Sequence, residues 1–371
     1  MTIKGFELKY TDEQIDSITA EMAEVLRSGM ICANVKVQEV ERLAKEQLGT
    51  KYAIGVSCGT DALEMCAQWA FKEIYTDELQ FPPKILVPTN TFFATSEAMT
   101  KGMFRVEFVD MEYDYLGMDL IEAKRLIELD PEIRAVCVVH IGGYVNPMLQ
   151  PFAKWCRNRG VYVIEDCAHA YGSKHAGEWG DVAGWSFFAT KVFTGGEGGL
   201  VTTNSGQTSK YLHLVRNFGK PNPWESFHIE RGYNYRMSEF NACVLLNQLR
   251  RFDSIMNRRK EILRLYEDNL FEHLNIRYMY DSSIYKIVMI DEQIALVKDA
   301  LNEAGITLAG GVYNTPLHKM PVYSEWDGAS FPKAEWFADH HIALPIHLEL
   351  TDDDVLKICE VIMNEIEGEK K

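Results

Sequence analysis

The chain has 371 residues, with 38 Lys and Arg against 54 Asp and Glu, and 47% of its residues are hydrophobic. That is an ordinary globular composition, long enough for one large domain plus a smaller one without disulfide or metal staples. The formal net charge of −16 argues against nucleic acid or an acidic membrane as partner, since both select a basic face.

No run approaches the roughly 20 apolar residues of a membrane span. The opening MTIKGFELKYTDEQ lacks the basic end and apolar stretch of a secretion signal. The eight cysteines, Cys32, Cys58, Cys66, Cys137, Cys156, Cys167, Cys243 and Cys359, form no C-x-x-C pair. They are expected to be mostly reduced core residues of a cytoplasmic protein, with no metal site among them.

The first 50 residues carry helical spacing, in DEQIDSITAEMAEVLRSG and then VQEVERLAKEQLG, which closes on a glycine. From about residue 51 short apolar, β-rich runs recur: YAIGVS (52–57), KILVP (84–88), FRVEFVD (104–110), RAVCVVH (134–140), VYVIED (161–166), GWSFFA (184–189) and GLVTT (199–203). Most gaps can hold a helix, as in GTDALEMCAQWAFKEI and NPMLQPFAKWCRNRG. Such alternation predicts an α/β fold with a mostly parallel sheet covered on both faces, and ligands bind such sheets beyond the carboxyl ends of the strands. After about residue 205 the pattern turns helical, with one long amphipathic run, SEFNACVLLNQLRRFDSIMNRRKEILRLYEDNL. The last hundred residues read as a small α/β unit. The expected division is a large α/β domain with N-terminal helices over 1–245 and a smaller C-terminal α/β domain over 246–371.

Chemistry-bearing residues gather at the predicted ligand edge. Strand 161–166 ends on Glu165-Asp166, followed by Cys167-Ala168-His169. An acid ending a buried strand is costly unless something cationic or hydrogen-bonding meets it. It can also serve as a plain helix cap, and His169 as a structural histidine. Lys191 follows a strand end and precedes the turn Gly195-Gly196-Glu197-Gly198-Gly199. Burial there would lower its pKa and let the neutral amine attack a carbonyl. GVSCGTDAL (55–63) is ambiguous. It matches the G-x-S-x-G elbow of a hydrolase, with Ser57 as nucleophile and Asp166 and His318 as partners in sequence order. It also reads as a phosphate cradle in which Gly59-Thr60 open a helix. A pyridoxal phosphate site uses the lysine, the aspartate and the helix start together.

The ordered blocks AIGVSCGTDALEM, VPTNTFFATSEAM, FVDME, VIEDCAHAYGS, GDVAGWSFFATKVFTGGEGGLVTTN, VRNFG, GYNYRMSEFNACVLLNQL, YNTPLH and ALPIH resemble the DegT/StrS family of PLP-dependent sugar aminotransferases, of fold type I. The resemblance runs over roughly residues 15–365. It implies that Lys191 bears the pyridoxal 5'-phosphate and shuttles a proton between the amino acid's α-carbon and the cofactor C4′. Asp166 would pair with the pyridinium nitrogen, Phe92 would stack on one ring face, and His169 would lie near the ring and its 3′-oxygen. Gly59, Thr60 and Ser186 would hold the phosphate, with Asn234 reaching the neighbouring subunit's cofactor in a homodimer. The implied reaction moves an amino group from L-glutamate or glutamine to a keto sugar, most often a nucleotide-linked one. A histidine at the lysine position marks a dehydrating branch of the family, whereas here the residue is Lys191.

Three departures bear on the acceptor. Phe218 stands where many relatives have histidine, SGMICANVKVQEVE lacks a glycine-rich stretch, and the run after Leu270 is short. They leave room for a smaller, non-nucleotide keto sugar. A non-catalytic, cofactor-binding regulatory protein is the reading from another class, beside the Ser57 hydrolase.

Overall fold

The computed structural model describes residues 2–75, 81–222, 224–270 and 281–368. Most of the short segment after Leu270 lies outside the described residues. Two helices open the chain, α1 (Asp12–Ser28) and α2 (Val35–Leu48). Thr11 and Gln14 form a reciprocal capping box at the start of α1, and Gly29, at φ +70°, ends it.

The alternating region then runs β1 (Tyr52–Val56), α3 (Gly59–Ile74), β2 (Lys84–Pro88), α4 (Phe93–Lys101), β3 (Arg105–Val109), α5 (Leu120–Leu129), β4 (Ile133–Val139), α6 (Leu149–Arg157), β5 (Tyr162–Asp166), β6 (Val182–Ser186) and β7 (Gly199–Thr203). The seven strands form one sheet in the order β1-β7-β6-β5-β4-β2-β3. Four of its pairings are parallel; β7 runs antiparallel to both β1 and β6. The expected mostly parallel α/β sheet is therefore present. The run expected at 184–189 begins earlier and stops at Ser186, because the chain turns there towards Lys191.

Strand residues alternate between two cores, as period-two geometry requires. Ile85, Val87, Ala135, Cys137, Ile164 and Val201 pack under α3 and α4 on one face. Leu86, Val136, Val138 and Val163 pack against α5 and α6 on the other, where Trp185 and Leu200 meet α2. Both faces are buried, so the strand interiors are mostly apolar, with charged residues such as Lys84, Arg105 and Asp166 at strand ends.

Beyond the sheet come α7 (Gly206–Arg216), α8 (Glu239–Leu249) and α9 (Phe252–Leu270). The single long helix suggested by the pattern is two helices, broken at Arg250-Arg251. A two-stranded antiparallel sheet joins β8 (Ile287–Ile290) to β9 (His341–Leu344), accompanied by α10 (Ile294–Glu303), α11 (Pro332–Asp339) and α12 (Asp352–Gly368). Its core, with Ile287, Leu301, Leu344 and Ile362, is continuous with Met111, Val139 and Ile141 from the sheet side. The cavity opens along this seam. No described helix is long and apolar enough to cross a membrane. All eight cysteines are free thiols; six are buried, whereas Cys32 is exposed and Cys58 half-buried, so these two depart from the expected core role.

Candidate active site

A cavity of about 670 Å³ lies beyond the carboxyl ends of β4, β5 and β6. Seven of the eight residues assigned to the cofactor site from the sequence line it: Gly59, Thr60, Phe92, Asp166, His169, Ser186 and Lys191. Asn234 is not among its lining residues; it is exposed and bridges by its backbone to Asn217.

Asp166, the last residue of β5, is 3% exposed. Its Oδ1 accepts from the Ala168 N–H at 3.0 Å and its Oδ2 from the Thr95 hydroxyl at 2.8 Å. Burial pushes this carboxyl above its ordinary range, against the pull of Ala168, Thr95 and Lys191. Its charge thus faces the cavity with neutral hydrogen-bond partners, an arrangement that is costly until a cationic donor arrives. Glu165, one residue earlier, points to the opposite face of the strand. It is saturated by His140 at 2.8 Å and by the amides of Gly177, Trp179 and Gly180. Cys167 completes a buried cluster with them, but the carboxylate's hydrogen bonds already give that cluster a structural role.

Lys191 sits on the turn after β6. Burial lowers its ammonium to about 8, opposed by Asp166, so about a tenth of it is neutral at pH 7. Its Nζ stands 5.0 Å from the ring centroid of Tyr285. The glycine turn behind it is fixed from α8, where Asn241 Nδ2 donates to the Gly195 carbonyl at 2.8 Å. A Cβ at Gly195 would meet the carbonyls of Glu197 and Asn241 at 2.8 and 2.9 Å, which accounts for the glycine.

The start of α3 is pressed against the ends of β6 and β7. A Cβ on Gly59 would lie 2.6 Å from that of Ser186, and one on Gly199 would lie 2.2 Å from the Cys58 carbonyl. Only glycines allow this approach. The first amides of α3 have no carbonyl partner within the helix. With the helix dipole and the Ser186 hydroxyl they make an anion cradle.

His169 accepts the Gly142 N–H at Nδ1, 3.2 Å away, and its Nε2 faces the Tyr313 hydroxyl at 3.3 Å. Burial and the neighbouring lysines hold it far below the usual imidazole range. It is therefore neutral, and an accepting Nδ1 places its proton on Nε2. Phe92 is 59% exposed, so plain core packing is not its role; its ring borders the open cavity. Thr95, Tyr285 and Tyr313, which the sequence reading did not single out, complete the wall. Thr95 carried a signal, a hydroxyl in the first turn of a helix after a strand end. Tyr285 and Tyr313 come from far along the chain, and nothing in their local sequence points to the cavity.

The hydrolase reading does not survive this geometry. Ser57 donates to Asp61. His318 is held by Thr89 at 2.7 Å and Glu335 at 3.1 Å, away from both Ser57 and Asp166.

A family model for the DegT/DnrJ/EryC1/StrS aminotransferase family matches residues 12–363. The chain belongs to this family. The aminotransferase is 29% identical to GDP-perosamine synthase of Escherichia coli O157:H7, over 100% of this chain and 98% of that one. It is 28% identical to UDP-4-amino-4,6-dideoxy-N-acetyl-beta-L-altrosamine transaminase of Campylobacter jejuni subsp. jejuni serotype O:23/36 (strain 81-176), over 98% and 99% of the two chains. A solved structure of NtdA from Bacillus subtilis with bound cofactor PMP superposes with a TM-score of 0.86 at 21% identity. It covers 96% of this chain and 83% of that chain; at that identity the likeness speaks for the fold of the aminotransferase.

Proposed function

We propose that the aminotransferase uses pyridoxal 5'-phosphate to move an amino group from L-glutamate, or glutamine, to a keto sugar, in the biosynthesis of a glycan or amino sugar. The observation that carries this is the buried Asp166 carboxylate, unmatched by any cation in hydrogen-bond contact among the described residues, facing the same cavity as a desolvated Lys191. The nucleotide-linked form of the acceptor rests on the two relatives, whose names specify GDP and UDP sugars.

When bound, the cofactor supplies an electron sink for the donor's α-carbon. The chain's own residues account for the rest. Asp166 holds a proton on the ring nitrogen, which its burial and two neutral donors prepare it to do. Gly59, Thr60 and Ser186 hold the phosphate. Phe92 would cover one ring face, leaving the other to Lys191, whose neutral amine would shuttle the proton between the donor's α-carbon and the cofactor C4′, and in the second half-reaction between C4′ and the acceptor carbon that gains the amino group. His169 presents its Nε2 proton beside the ring.

We also propose a homodimer in which Asn234 serves the neighbouring subunit's phosphate. Its exposure outside its own cavity supports this, as do the exposed Trp224, Phe227 and Tyr233 on the same segment. The free, exposed thiol of Cys32 fits a reducing, cytoplasmic setting. We also propose a division of the chain near residue 245, supported by the gathering of the small sheet and its helices after that point.

The test is the visible spectrum of the purified protein before and after excess L-glutamate. A yellow band that is lost on adding glutamate supports the cofactor, Lys191 and the donor together. No band, even with added pyridoxal phosphate, overturns the reading. A panel of keto acceptors then decides the rest, and turnover of free or phosphorylated keto sugars alone would replace the nucleotide-linked acceptor.

A further inference from the structure

Lys191 meets an aromatic face that the roles above leave unused. Its Nζ stands 5.0 Å from the ring centroid of Tyr285, inside the roughly 6 Å at which a ring face attracts a cation. That ring is held from several sides. It lies against the imidazole of His169, with centroids 4.3 Å apart and planes 33° from parallel. Two residues before it, the Ser283 hydroxyl donates to the His169 carbonyl at 2.5 Å and the Ser283 amide to the Ser173 hydroxyl at 2.7 Å. One residue after it, the Lys286 amide donates to the Gly142 carbonyl at 3.3 Å, and the Lys286 carbonyl accepts the Tyr144 hydroxyl at 2.7 Å. A Cβ at Gly143 would lie 2.2 Å from Ser283 Oγ, so the segment carrying Tyr285 is pressed against the turn after β4.

A ring face holds a cation loosely, which suits a group that must also give its proton away. A carboxylate in contact would fix Lys191 as an ammonium and deny it the neutral state. Among the described residues Lys191 Nζ has no such ion-pair partner, and Asp166 acts on it only at longer range. Three other titratable groups surround it. Lys286 Nζ stands 5.2 Å from the same centroid and donates to the Gly310 carbonyl at 2.9 Å. His169 is neutral, and Glu197 lies exposed on the glycine turn. Arg259 is engaged by the Ile284 and Tyr285 carbonyls. The proton that Lys191 takes from the donor's α-carbon is the one it delivers to the cofactor C4′. Between the two transfers the side chain is an ammonium shielded from water, the form that burial most disfavours. The electron-rich face of Tyr285 offers that form an attractive contact.

We propose that Tyr285 is a positioning residue for Lys191: its ring receives the ammonium while that group carries the proton, and keeps it beside the reacting carbons. This rests on the aminotransferase reading above, and it gives the proton transfer a second residue that sequence spacing does not reveal.

The test replaces Tyr285 by phenylalanine (Tyr285→Phe) and then by phenylalanines of increasing ring fluorination, which keep the shape and drain the face of electron density. Competitive acetylation of Lys191 by acetic anhydride is followed against pH, with the site read by peptide mass, and needs no cofactor. Tyr285→Phe should hold the midpoint within about a third of a pH unit of the wild type. Fluorination should then lower it stepwise, by about half a pH unit to one and a half across the series. In the holoenzyme, exchange of the α-proton of L-glutamate with deuterated solvent should slow in the same order, by about threefold or more at the end of the series. A midpoint indifferent to fluorination, or one that rises, would overturn the proposal and leave the ring the part of a water-excluding wall. Equal loss in Tyr285→Phe would also overturn it, by assigning the role to the hydroxyl. Failure of the wild-type holoenzyme to exchange any α-proton would instead strike the aminotransferase reading, while the acetylation profile would still report on Tyr285.

Discussion

At Lys191 the fold takes water from an amine and leaves Asp166 as the opposing charge. The ammonium is lowered to about 8, so below that pH the folded chain must bury a charge that the unfolded chain solvates. Between about pH 8 and pH 10 the unfolded chain binds the extra proton, and stability rises with pH across that window. Reactivity follows the same proton. Capture of free pyridoxal phosphate by the apoprotein, followed as yellow absorbance, is expected to quicken from pH 7 to pH 9 and level off, with its midpoint near 8. An ordinary surface lysine would keep gaining to beyond about pH 10. Asp166 has the opposite sign. Its raised carboxyl means the ionised form costs stability, a cost relieved as pH falls through its folded value. Asp166→Asn keeps the Ala168 bond through its carbonyl oxygen, reverses the Thr95 bond, whose hydroxyl must then accept, and drops the charge. Its apoprotein should melt no lower than the wild type, while turnover should fall by about a hundredfold or more.

The start of α2 shows how an element can depend on a residue far along the chain. Its first residues carry no side-chain cap of their own. Instead Glu239, at the start of α8 and 2% exposed, accepts the amides of Asn34 at 2.6 Å, Lys36 at 2.8 Å and Val37 at 3.1 Å. One buried carboxylate thus satisfies three orphan donors and meets the positive end of the helix. Glu239→Ala should lower the unfolding free energy by about 2–3 kcal/mol in urea titrations, with Glu239→Gln in between. Such a cap is invisible in local pattern, and the periodicity of VQEVERLAKEQLG placed the helix two residues late. The strands were legible because both sheet faces are buried and apolar runs such as KILVP and RAVCVVH need no partner to be recognised. The glycine-rich turn at 195–199 and the helix start at Gly59 were each legible, but their close approach, which admits no Cβ at 59, 195 or 199, was not. The break at Arg250-Arg251 was not, because two consecutive helices of similar polarity leave one continuous amphipathic record. Tyr285, Lys286 and Tyr313 reach the cavity only through packing of the elements after α9 on the seven-stranded sheet, which local spacing does not encode.

The whole molecule sets the last requirement. Seven predicted site residues meet in one cavity, and the eighth, Asn234, lies outside it on the exposed face that carries Trp224 and Phe227. If Asn234 acts within its own chain, pairing a Lys191→Ala subunit with an Asn234→Ala subunit leaves both sites of the hybrid defective. If it acts across the interface of a two-fold dimer, one site of each hybrid regains both wild-type residues, because a closed dimer exchanges the same patch in both directions. The two variants, each inactive or severely impaired alone, should recover about a quarter of wild-type activity when coexpressed at equal levels, since about half the dimers are hybrids with one intact site. Differently tagged subunits allow the hybrid to be isolated, and it should then reach about half of wild-type turnover. Activity no higher than that of the impaired Asn234→Ala parent would place Asn234 in its own subunit's service and remove the shared site from the proposed function.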